Sequence, residues 1–188
     1  MDAGFGFETD LRDSFGTVVV SHDPAVPEVE RAADVLDALH KSLISTAGVL
    51  ALNVKSDGLV PLLAPLVRAL PDGRYFFFDM SWPQVLAYVE AGLPVALRVS
   101  EWEPLDMSLF ARLGIPVRVW LDAFETDWFV NSPAIDDLCQ RGLVAVVSPE
   151  IHRRDPLGVW DWFGDQVERG ADVVLCTDLA LDVVGRLT

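Results

Sequence analysis

The sequence predicts a parallel α/β fold, and three observations predict it. Short apolar runs rich in Val, Leu and Phe alternate along the chain with stretches of helical periodicity. The runs are apolar almost throughout, as strands buried on both faces are. Most of them stop at a polar or charged residue, and in parallel α/β folds functional groups gather at the carboxyl ends of strands. Strands separated by helices require right-handed crossovers, a condition met by an open doubly wound sheet and by a closed barrel alike.

In chain order, residues 4–11 (GFGFETDL) form the first strand. Its period of two places Phe5, Phe7, Thr9 and Leu11 on a face that packs against helices. Gly4, Gly6, Glu8 and Asp10 share the face that looks into a crowded interior. Asp13-Ser14-Phe15-Gly16 reads as a hairpin turn, with residues 17–21 returning to His22-Asp23-Pro24. Apolar Ala32, Val35, Leu36 and Leu39 predict a helix over 29–43. Strands follow at 49–55, 75–79, 94–100, 116–122, 143–148 and 172–177, separated by helices at 59–70, 83–91, 105–113, 133–141 and 158–169. Gly92, Gly114, Gly142 and Gly170 each fall where a helix would end, as a left-handed C-terminal cap requires.

A length of 188 residues with 51% hydrophobic and 23% charged residues predicts a single compact domain over residues 1–188. The net charge of -15 argues against nucleic acid and anionic membrane surfaces as partners. No apolar run is long enough to span a bilayer, and no basic region followed by an apolar segment opens the chain. Cys139 and Cys176 match no metal-ligand spacing and no disulfide framework. They are expected to be reduced thiols of a cytoplasmic protein, with Cys176 in the core.

The polar strand ends carry the chemistry. Glu8 and Asp10 on one face of a buried strand would repel unless a cation sits between them, and oxygen ligands suit a hard divalent ion such as Mg²⁺ or Ca²⁺. The alternative is a solvent-facing pair on an edge strand. His22, brought back by the hairpin, is a candidate general acid or base. Asp79, Glu101, Asp122 and Glu150 end later strands, and Glu101 and Asp122 come first as further acidic groups because each follows a clear strand. His152 and Arg153-Arg154 are candidates on the same rim. Gly4-x-Gly6 lies inside its strand and lacks the third glycine of a dinucleotide fingerprint.

With these residues in place, ETDLRDSFGTVVVSHDP resembles a segment of the glycerophosphodiester phosphodiesterase family, in which an E-x-D pair is followed by a short hairpin and a His-Asp. LALNVKSDG is similar to that family's next strand, and DVVLCTDLA to its last. YFFFDMSWP, LRVSEWE, VWLDAFE and VVSPEIHRRD resemble a bacterial subgroup of phosphodiesterase-like proteins. The resemblance implies a TIM-type (β/α)8 barrel that lacks the first β/α unit, which in the family carries a His-Arg-Gly motif. It implies a divalent metal, Mg²⁺ or Ca²⁺, held by Glu8, Asp10 and Asn53, with His22 catalytic. Lys55 would contact phosphate, and Glu101, Asp122 and His152 would line the substrate side. Asn53 departs from the family, which has an acidic third ligand there; an amide oxygen coordinates without adding charge, and any one of Asp79, Glu101, Asp122 and Glu150 could replace the missing acidic ligand, with Glu101 and Asp122 first.

The expected activity is metal-dependent hydrolysis of a small glycerol- or sugar-containing phosphodiester, with a place in lipid metabolism. The unpaired strand edges of an incomplete barrel offer a route to homo-oligomers. The alternatives are a catalytically impaired relative that binds or regulates, and a different metal-dependent barrel enzyme such as an isomerase or lyase.

Overall fold

The computed structural model describes residues 5–24, 30–43 and 48–187. Gly4 and Val29, which the sequence reading placed at the start of a strand and of a helix, lie outside them. The chain divides into two compact units, Met1–Ala96 and Leu97–Thr188.

In the first unit the described elements are β1 (Phe7–Ser14), β2 (Thr17–Val20), α1 (Ala32–Leu43), β3 (Leu50–Val54), α2 (Val60–Val67), β4 (Tyr75–Phe78) and α3 (Trp82–Glu90). The sheet order is β2-β1-β3-β4, with β1 and β2 antiparallel and the remaining pairs parallel. The hairpin turns on Phe15 and Gly16, whose φ angles of 46° and 82° are both left-handed. That is the twist a two-residue turn between right-twisted strands needs. Thr17 Oγ1 closes the turn by donating to the Ser14 carbonyl at 2.7 Å.

The expected division of the first strand into two faces holds for Thr9 and Leu11, which are buried, whereas Phe7 is half exposed. The glycines have a narrower purpose than lining an interior. A Cβ on Gly6 would meet the Val49 carbonyl oxygen at 2.3 Å, and one on Gly48 would meet the Phe5 carbonyl oxygen at 2.3 Å. Glycine is therefore what lets the chain before β1 approach the chain before β3. On β4, Phe76 and Phe78 face one way and Phe77 the other, where its ring meets Tyr88 of α3 at 4.9 Å. Beyond β4, Phe77 forms an isolated parallel bridge to Val95. Pro94 accepts there from the Phe77 N–H at 2.8 Å but has no N–H to extend a ladder.

In the second unit the elements are β5 (Leu97–Val99), α4 (Met107–Leu113), β6 (Arg118–Leu121), α5 (Pro133–Cys139), β7 (Leu143–Val147), a 3-10 turn (Pro149–His152), α6 (Leu157–Glu168), β8 (Val173–Cys176) and α7 (Ala180–Leu187). The sheet is all parallel in the order β5-β6-β7-β8. Every residue of β7 is buried, and every residue of β8 is half-buried, so Cys176 is not a core residue as expected. Among the described residues β8, the last strand of the order, has β7 as its single neighbour, so one edge of it is uncovered by a strand. Cys139 is buried, which pushes its thiol up to about 12 and keeps it protonated.

Gly92, Gly114 and Gly170 adopt φ angles of 71°, 66° and 74°, the left-handed caps expected of them. Gly142 does not. A Cβ there would sit 2.1 Å from the Val117 carbonyl oxygen, so the position is glycine for close approach between chain segments. Both units are mixed α/β with parallel pairing. The described strands form two four-stranded sheets, and a closed ring of eight is not among their ladders.

Candidate functional site

At the carboxyl end of the first unit's sheet, register sets the site. Asp10 pairs with Asn53, and Asn53 with Phe78, so the three lie in one row across β1, β3 and β4. Side chains in a row of parallel strands share a face, and Glu8, two residues before Asp10, shares it too. Asn53 is 7% exposed. Its amide hydrogen-bonds Glu8, and its Nδ2 donates to Asp79 Oδ2 at 3.3 Å. The amide oxygen has no hydrogen-bond partner among the described residues. Lys55 pairs its Nζ with Asp10 Oδ1 at 3.3 Å, and both side chains are about four-fifths buried.

Burial first, then the neighbouring Asp10 charge, with a smaller push from Asp79, raise the Glu8 carboxyl from 4.5 to about 7 against the opposing Lys55 charge and Asn53 hydrogen bond. The site thus gathers more negative charge than its one lysine offsets. The loops around it are tied together. Gly58 donates its N–H to Gln84 Oε1 at 2.9 Å, Ser81 Oγ donates to Asp57 at 3.1 Å, and the Asp13 N–H donates to Ser56 Oγ at 3.3 Å.

The structure brings Glu8, Asp10, Asn53 and Lys55 together and adds Asp79, which the sequence reading ranked behind Glu101 and Asp122. Asp79 directly follows Phe78, the strand residue that pairs with Asn53. His22 is placed differently. Its ring is 73% exposed and pairs with Asp23 at 3.2 Å, its only side-chain partner among the described residues. Its carbonyl accepts from the Arg12 guanidinium at 2.9 Å, and the Ser21 N–H donates to the Asp10 carbonyl at 3.1 Å. The backbone therefore anchors the segment beside β1 while the imidazole faces solvent.

Glu101, Asp122 and His152 belong to the second unit, where each has partners of its own. Both Glu101 carboxylate oxygens accept backbone N–H groups, from Phe124 at 3.1 Å, Glu125 at 3.1 Å and Thr126 at 3.2 Å. Burial alone would raise this carboxyl, but the backbone bonds outweigh it and hold it below its ordinary value. Asp122 is 5% exposed; its Oδ1 accepts from the Ala123 N–H at 2.8 Å and lies 2.7 Å from His152 Nε2. The His152 ring packs on Phe124 with centroids 4.9 Å apart. Glu150 binds Ser148 Oγ and Thr177 Oγ1, and Trp160 donates to Ser148 Oγ at 2.8 Å. Arg154 holds the Ala123 carbonyl at 2.7 Å together with Asp127, while Arg153, at φ 61°, is exposed.

Among the described residues no three His, Cys, Asp or Glu side chains stand already drawn around a single metal position. The donors at the first unit's strand ends nonetheless fit a hard divalent cation in kind. They are carboxylates with one buried amide whose oxygen lacks a partner.

No protein-family model matches the sequence, and no curated protein matches it. Among solved structures, the chain is similar to a glycerophosphoryl diester phosphodiesterase from Parabacteroides distasonis, at 15% identity. The match covers 96% of this chain and 74% of that one with a TM-score of 0.58. The likeness is one of fold. No helix among the described residues is long and apolar enough to cross a membrane.

Proposed function

We propose that the chain is a phosphodiester hydrolase of the phosphodiesterase-like TIM-barrel kind, with its reaction centre at the ends of β1 and β3. The observation that carries the reading is the convergence of Glu8, Asp10, Asn53 and Lys55 at one end of the first unit's sheet, in a fold shared with a phosphodiesterase. The substrate class is a small phosphodiester bearing a glycerol or sugar group. Glu8, Asp10 and the Asn53 amide oxygen would hold Mg²⁺ or Ca²⁺, whose positive charge, when bound, stabilises the nonbridging oxygens of the phosphoryl group.

The chain's own residues do the rest. Asp10 keeps the Lys55 ammonium at the site, where it meets the phosphate charge that an otherwise acidic protein would repel. His22 delivers a proton to the leaving alkoxide, and Asp23 contacts its ring Nδ1 at 3.2 Å.

The test is hydrolysis of bis(p-nitrophenyl) phosphate and glycerophosphodiesters with Mg²⁺, Ca²⁺ or Mn²⁺ added. Metal-dependent turnover that falls about 10²- to 10⁴-fold in His22→Ala is expected. Turnover that survives loss of His22 would overturn the assignment of His22. A second reading, a relative that binds its ligand without turning it over, is favoured by the solvent-facing His22 ring and the uncharged Asn53. It predicts saturable binding of a phosphomonoester product with no turnover under any of these metals.

A further inference from the structure

We infer that Asp79, from the end of β4, supplies the third carboxylate of the cation site, in place of the acidic group that β3 lacks at Asn53. The inference rests on the proposed cation site at Glu8 and Asp10 and goes beyond it by naming this chain's own compensation.

Backbone geometry is the first support. Phe78 shares a row with Asn53, so in a continuing strand the next side chain would point to the opposite face of the sheet. Asp79 instead adopts φ 66°, one of three non-glycine residues among those described with positive φ. Aspartate and asparagine tolerate this conformation best among residues with a Cβ, and it still carries strain. The left-handed turn breaks the alternation and brings the carboxylate back to the Asn53 face, where Oδ2 accepts from the Asn53 amide at 3.3 Å.

The second support is independent of the acidic groups. Asn53 is more than nine-tenths buried between Glu8 and Asp79, and its Oδ1 has no hydrogen-bond partner among the described residues. A buried acceptor left without a donor costs free energy on the order of 1–3 kcal/mol. A cation at this place satisfies that oxygen and the carboxylates together. With an amide on β3, two carboxylates would leave the site short of charge, and a third from β4 restores the count that sets divalent-ion affinity.

The experiment is Mn²⁺ titration of the full chain at pH 8, followed by electron paramagnetic resonance of the free ion, with melting temperature recorded alongside. Asp79→Asn keeps a residue that accepts left-handed φ and removes only the charge. It is expected to weaken Mn²⁺ binding by about 10- to 100-fold, the loss that even outer-shell partners of metal ligands produce. Adding Asn53→Asp to Asp79→Asn is expected to return affinity to within about 3-fold of the parent, because the same charge is supplied from the neighbouring strand. Asp79→Asn binding as tightly as the parent, while Glu8→Gln binds weakly, would overturn the role of Asp79 and leave the cation site at Glu8 and Asp10 standing. A parent chain that binds no Mn²⁺ would overturn the cation reading and this inference with it. A lowered melting temperature in Asp79→Asn with no recovery of affinity in the double variant would make Asp79 a structural partner of Asn53, again overturning the inference.

Discussion

The two units end their sheets in polar residues of the same types, yet the two sets are wired differently. In the second unit Glu101 accepts three backbone N–H groups, Asp122 is held by Ala123 and His152, and Glu150 by Ser148 and Thr177. In the first unit Glu8 and Asp10 face the same lysine, Glu8 and Asp79 the same amide, and the oxygen of that buried amide is left over. A carboxylate at a strand end is thus no site by position alone. What separates a loop staple from a binding group is whether the protein already satisfies its charge.

The sharpest way to break the contrast is to remove one carboxylate from each unit and read stability without metal. Glu101→Ala leaves three backbone donors of the loop after β6 without their acceptor, and a loss of about 2–3 kcal/mol is expected. Glu8→Gln at pH 8 should act with the opposite sign, because it deletes a charge that its surroundings disfavour. A gain on the order of 1–2 kcal/mol is expected after allowing for solvent screening. Denaturant melts of both variants check the pair; destabilisation of similar size in both would erase the distinction.

Acidity provides a finer probe of the same difference. Glu8 is raised from 4.5 to about 7 by burial and then by Asp10, so the folded chain keeps this proton where the unfolded chain releases it. The stability that proton contributes is complete below about pH 4.5 and is lost as pH rises through about 7. Metal-free parent protein melted at intervals between these values should show the loss, and Glu8→Gln should not. Glu101 is shifted downward, so its contribution is present above the ordinary glutamate range and is lost as pH falls through its lowered value.

The smallest expected effect is at His22. With its ring exposed and paired only to Asp23, His22→Ala should change stability by no more than about 0.5 kcal/mol while removing turnover. A stability loss well above that would mean the ring packs into the fold.

Much of the fold was legible because strand and helix periodicities are local. Among the described residues, all eight strands and six of the seven helices lie where the apolar runs and periodic stretches put them. Helix α7 was not among the expected elements although Ala180, Val183, Val184 and Leu187 recur at helical spacing; at eight residues it gives that pattern only two turns in which to show. Gly142 was placed correctly and explained wrongly, since backbone contact with Val117 is a tertiary fact. The same limit governed the site. Glu8 and Asp10 were legible from alternation within a strand, and Asn53 and Lys55 as a polar strand end, but Asp79 reaches Asn53 through a left-handed residue that no periodicity encodes. The roles of Glu101 and Asp122 depend on which backbone donors meet them, and that is decided by the fold of the loop after β6.

The central claim is that the first unit's strand ends are built for a cation and the second unit's for their own loops. Calorimetric titration of Mn²⁺ into the parent, Glu8→Gln and Glu101→Gln chains at pH 8 tests it most directly. The account predicts saturable binding in the parent, retained in Glu101→Gln and weakened at least about 10-fold in Glu8→Gln. Binding unchanged in Glu8→Gln, or lost in Glu101→Gln while that chain stays folded, would contradict it.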